Sequence, residues 1–119
     1  MNIEDFQTYC LSKKGVTETF PFDEKTLVFK VMGKMFALTG LENEDFKVNL
    51  KCDPEKAVEL RETHPEGITA GWHMSKKHWN TVRFEGDLEE ALLRELVDHS
   101  YDLVANKMTR KLRAELEAL

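Results

Sequence analysis

Apolar positions recur along this chain in two periods, and the changes between them mark out its elements. Ile3, Phe6 and Cys10, with Tyr9 beside them, repeat at helical spacing and predict a helix over about residues 2–13. Asn2 is placed to cap it, Asp5 suits its positive end and Gly15 stops it. After a polar connection holding Phe20-Pro21-Phe22, residues 26–31 alternate as a strand. Met32-Gly33-Lys34 turns the chain into a returning strand over 35–39, with glycine where a positive φ is needed. An acidic turn (Glu42, Glu44, Asp45) leads to a third strand over 46–51. Phe46, Val48 and Leu50 share one side of it, and Lys47, Asn49 and Lys51 share the other.

The second half opens with Asp53-Pro54-Glu55-Lys56, a cap followed by proline and an acid, which is a helix start. Ala57, Val58 and Leu60 form its apolar side until His64-Pro65 ends it. Residues 66–78, with Gly67 and Gly71, are expected to be a long loop, and 79–84 a fourth strand. Glu85-Gly86 turns the chain, and Asp87 with Glu90 resembles a capping box for a long helix. Leu88, Leu92, Leu96, His99 and Leu103 are its expected inner stripe, and a short helix follows Thr109. The order α-β-β-β-α-β-α-α predicts an α+β domain: an antiparallel sheet with helices packed on one face. The half-polar strands leave the other face partly solvated.

Composition narrows the class without naming a chemistry. A chain of 119 residues is expected to be one domain, 1–119, able to bury roughly two-thirds of its unfolded surface. Hydrophobic residues make up 41% and charged residues 33%, as in water-soluble globules. There is no apolar run of about 20 residues and no basic, apolar leader, so a cytoplasmic protein with no membrane partner is expected. Cys10 and Cys52 form no CxxC and are expected as small buried hydrophobes.

Charge changes the picture more. With 22 acidic residues against 17 basic ones the net charge is -5, which weighs against a simple polyanion binder. Yet no acid occurs between Gly67 and Phe84, where Trp72, His73, Lys76, Lys77, His78, Trp79 and Arg83 collect. Lys47 and Lys51 on the polar side of the third strand, and Lys30 on the first, could extend the patch. Lys51, Trp72, His73, Lys76, Lys77, His78, Trp79 and Arg83 are therefore the candidate binding residues. Lysines would meet phosphates and indoles would stack bases or hold a peptide. The plainer reading is that Trp79 plugs the core while Trp72 and His78 close a loop over the sheet. Both readings stand open at this level.

Other chemistries find no pattern. His73 and His78 lack the helical i, i+4 spacing of a zinc site and have no Cys or carboxylate cluster beside them. His99, on an apolar stripe, is expected to be a satisfied core histidine with the Tyr101 hydroxyl at the same edge. Nucleophile-elbow, P-loop and dinucleotide motifs are missing, so neither enzyme activity nor a cofactor or metal is expected.

Several segments together resemble the MmcQ/YjbR family. They are Tyr9-Cys10-Leu11, Lys14-Gly15-Val16, Phe20-Pro21-Phe22, 27–31, 34–38, 49–54 and above all 71–82, Gly-Trp-His-Met-Ser-Lys-Lys-His-Trp-Asn-Thr-Val. Asp98-His99-Ser100-Tyr101-Asp102-Leu103-Val104 completes the resemblance, which covers nearly the whole chain. It implies a small bacterial YjbR-like α+β fold, similar to secretion-chaperone-like and frataxin-like architectures. It also implies DNA as a partner, because family members are described as DNA-binding; the chaperone-like architecture offers a protein partner as the alternative. No catalytic residue carries over. Two positions depart from the pattern: Met108-Thr109 replaces a proline of many relatives, and Trp72 stands where some carry Tyr or Arg.

Overall fold

A computed structural model describes residues 1–119. Its elements run α1 (Ile3–Leu11), β1 (Val16–Thr19), β2 (Thr26–Val31), β3 (Lys34–Gly40), β4 (Lys47–Lys51), α2 (Pro54–Thr63), β5 (Ile68–Ala70), β6 (Trp79–Arg83), α3 (Glu90–Asn106) and α4 (Arg110–Glu117). All neighbouring strands pair antiparallel in one six-stranded sheet, ordered β1-β2-β3-β4-β6-β5. The expected α+β class and one-sided helix packing hold. No helix is long and apolar enough to cross a membrane.

Local chemistry explains most boundaries. Asn2 accepts the Asp5 N–H at 2.8 Å to cap α1, and Asp53 accepts the Lys56 N–H at 3.2 Å to cap α2 with Pro54 in its first turn. The β2–β3 turn carries positive φ at both Met32 (49°) and Gly33 (82°), the mirror-type turn whose twist suits a two-residue hairpin. Phe6 of α1, fully buried, meets the rings of Phe29, Phe46 and Phe84 at 5.3, 5.7 and 5.2 Å. This aromatic cluster fixes α1 to the sheet. Cys10 and Cys52 are buried and unpaired. Burial is the main cause that pushes their thiols up, to about 12 and about 11.

Three expectations are corrected. The sheet gains β1 and β5, drawn from stretches expected to be connection and loop. Each is too short to show a period, and each forms by pairing on a longer neighbour (Val16 with Val31, Ile68 with Val82). The capping box at Asp87 does not form: α3 begins at Glu90, and Glu89 precedes it with no side-chain cap. Leu88 packs instead on Gly67, where an added Cβ would lie 3.0 Å from its side chain, and Glu89 alone is extended before the helix. Finally, the buried stripe of α3 is Leu93, Leu96, Val97, Ser100 and Val104, rotated from the expected one. His99 thus sits half-buried at an edge, and Tyr101 donates to the Lys14 carbonyl at 2.6 Å rather than sharing that edge.

Candidate functional site

Helices cover one face of the sheet; the register assigns the residues of the other. From Thr26↔Gly40, Val28↔Leu38, Leu38↔Asn49, Asn49↔Thr81 and Thr81↔Thr69, one row of side chains runs across β2, β3, β4, β6 and β5 on the open face. Loops rise around this row and make a cleft of about 820 Å³. Leu38, Gly40, Lys47, Asn49, Thr69 and Thr81 line its sheet side. Phe22 enters from the β1–β2 connection, Glu44 and Asp45 from the β3–β4 turn, and Trp72, His73 and Met74 from the β5–β6 loop.

The β5–β6 loop is anchored from below. Gly71 approaches β6 so closely that a Cβ there would stand 2.8 Å from the Trp79 Cβ, and its N–H donates to the Trp79 carbonyl at 2.9 Å. The Trp72 N–H donates to Thr81 Oγ1 at 3.0 Å, the Thr81 hydroxyl donates to Asn49 Oδ1, and Asn49 Nδ2 donates to the Trp72 carbonyl at 3.2 Å. Both polar groups of the Trp72 backbone are thus held by the sheet. The next residue, His73, takes a left-handed φ of 56°, a conformation that costs a non-glycine residue energy. On this fixed backbone the Trp72 indole stands 72% exposed, edge-on to the His73 ring at 4.7 Å. Phe22 is 68% exposed.

The candidate binding residues separate. Trp72 and His73 line the cleft; Lys51, Lys76, Lys77, His78, Trp79 and Arg83 do not. Trp79 is only 8% exposed, so the two tryptophans have opposite roles: Trp79 closes the loop and Trp72 faces solvent. His78 is half-buried, and its carbonyl accepts the Cys52 N–H at 2.8 Å. Lys76 and Lys77 are exposed with no carboxylate partner. Arg83 shares its charge with Asp45 across 3.7 Å. Lys51 is half-buried, and its ammonium is held below its ordinary pKa by burial first and by Lys107 second.

Sequence reasoning missed Phe22, Glu44, Asp45, Asn49, Thr69 and Thr81 as one group. The alternation of the third strand already put Asn49 on the polar side, but its partners come from loops and strands far along the chain. No group of three or more His, Cys, Asp or Glu side chains is placed to hold a metal ion.

Comparison with known proteins gives this arrangement its lineage. The sequence model of the YjbR family matches residues 11–103. This chain belongs to the MmcQ/YjbR family. The uncharacterised protein YjbR of Escherichia coli K12 is 32% identical over 119 residues, the full length of both chains. YbdF of Escherichia coli O157:H7 is 39% identical over 93 residues, covering 77% of this chain and 75% of the relative. The crystal structure of Deinococcus radiodurans protein DR2400, a DUF419 domain, superposes with a TM-score of 0.91 at 43% identity, over 98% of this chain and 88% of that one. A Pseudomonas syringae protein of known structure matches with a TM-score of 0.73 at 27% identity, over 87% of this chain and 98% of its own. These relatives share the family and the fold, and their names assign the cleft no ligand.

Proposed function

We propose that this protein is a non-enzymatic, cytoplasmic DNA-binding module that works through its open sheet face and the β5–β6 loop. The observation that carries this is Trp72, highly exposed on a backbone pinned by Thr81 and Asn49, on a loop whose Lys76 and Lys77 have no carboxylate partner. Indole faces stack bases and unpaired ammonium groups attract phosphates, so the pair suits a nucleic acid. Lys47, exposed at the cleft, adds a third cation. Trp79 drops out of the stacking role because it is buried, and Arg83 contributes less because Asp45 already shares its charge.

The test is fluorescence anisotropy of labelled DNA at low salt with the wild type and the double variant Lys76→Glu/Lys77→Glu. Binding by the wild type and its loss in the variant support the reading; indifference to the double reversal contradicts it. Phe20, Phe22 and Leu41, exposed on two loops joined by the Leu41 N–H to Lys25 carbonyl bond, favour a second reading in which the same end of the sheet holds a protein segment. Binding of a partner protein that persists at high salt without nucleic acid would favour that alternative.

A further inference from the structure

Charge inside the cleft differs from charge around it. Glu44 and Asp45 line the cleft beside a single ammonium, Lys47, whereas Lys76 and Lys77 lie outside its lining. A phosphate seated within would meet two carboxylates against that one cation. A base edge would find in them acceptors for its amino group, the pairing that carboxylates make with the cytosine amine. Asp45 is partly engaged by Arg83, while Glu44 makes no ion pair and is the freer acceptor.

The walls point to the same ligand. Phe22 and Trp72 come from different loops, and both stand exposed where they line the cleft. Base faces inside a duplex are covered by their neighbours, so only an unpaired base offers its face to an aromatic side chain. The backbone bonds at Trp72 remove much of the ordering cost that a loose loop would pay on binding. At about 820 Å³ the cleft is within the roughly 300–1,000 Å³ of ligand-sized sites.

We infer that the cleft receives an unpaired, amino-bearing nucleobase, stacked on Trp72 with its edge toward Glu44, so that the ligand is single-stranded DNA with its phosphates outside. This rests on the DNA-binding reading and deepens it.

The full-length protein is titrated at low salt with short oligo(dC), short oligo(dT) and a duplex of the same length. Trp72 emission is read above the constant background of buried Trp79, and anisotropy is followed in parallel. Oligo(dC) should quench Trp72 and bind more tightly than both the duplex and oligo(dT). Trp72→Ala should weaken oligo(dC) by roughly 5- to 150-fold, the range that stacking of one base carries. Glu44→Ala, which leaves no acceptor at that edge, should remove the preference for oligo(dC) over oligo(dT). Both positions are exposed, and an unchanged thermal midpoint confirms that each variant is folded. Duplex bound as tightly as single strand, with Trp72→Ala neutral, would overturn the inference and leave DNA binding standing. Equal affinity for the two oligonucleotides overturns the edge assignment. No binding to any of the three brings down the DNA reading as well.

Discussion

Gly33 is the second residue of the β2–β3 turn, at φ 82°, with open space where a Cβ would go. Gly33→Ala therefore creates no clash, and its cost is conformational alone. A loss of about 1–2 kcal/mol in urea unfolding is expected, the penalty for placing an L side chain in the left-handed region. An unchanged midpoint would mean that the turn relaxes to another type. His99 sets a second residue-scale expectation. Its Nε2 accepts the Asp53 N–H at 3.1 Å, which requires the neutral ring. Burial is the main cause that holds its pKa below the ordinary value, and Lys56 adds to it; Asp53, Asp102 and Glu95 act the other way. The folded state thus takes up this proton less readily than the unfolded chain. The stability it contributes is complete above the unfolded value of about 6.5 and is lost as pH falls through that value toward the folded one. His99→Gln keeps an acceptor without a titrating ring, so the wild type should lose more stability than the variant between neutral pH and pH about 5. Parallel pH profiles would refute this role.

Elements are joined here by a few buried polar contacts. Asn80 of β6, only 2% exposed, donates to the Ala57 carbonyl of α2 at 3.3 Å and accepts from Arg61 Nη1 at 2.8 Å. It couples the sheet to the helix that Asp53 starts. Asn80→Ala should cost about 1–3 kcal/mol in denaturant unfolding with the slope unchanged, because buried partners lose their bonds. A cost within measurement error would show that water replaces the amide. On the same face of the sheet, Ser100 of α3 donates to the Phe36 carbonyl and accepts the Lys51 N–H at 2.9 Å. That explains why Ser100 occupies the buried stripe in the turn where His99 was expected. The rotation of α3 was not legible, because Leu88, Leu92, Leu96 and Leu103 form as regular a stripe as the one the sheet accepts. A carbonyl of β3 in need of a donor distinguishes the two.

For the molecule as a whole, the excess of acids implies that DNA binding depends on local charge. On a single strand each phosphate neutralised by a lysine lowers the logarithm of affinity by about 0.7 per decade of salt. Lys76→Glu/Lys77→Glu should therefore reduce the salt slope by about 1.4 as well as weaken binding. A slope unaltered by the double reversal would place the phosphate contacts elsewhere on the surface. Trp72 variants are expected to leave the slope as it is, since stacking releases no counterions.

The sequence by itself determined the α+β class, the β2–β3 hairpin, the starts of α1 and α2, the family, and the acid-free segment that holds Trp72 and Lys76. Each depends on neighbours within a few residues: a cap, a proline, a glycine in a turn, a period of two or near four. Only the tertiary structure decided which tryptophan is exposed, that β1 and β5 extend the sheet, and that Phe22, Glu44, Asn49, Thr69 and Thr81 surround one cleft. Trp72 and Trp79 lie in the same segment and carry the same ring. Their difference comes from the close approach of Gly71 to β6 and from bonds to Asn49 and Thr81. Periodicity specifies which residues share a face. Which parts of that face stay open depends on strand pairing and on loops that meet only after folding.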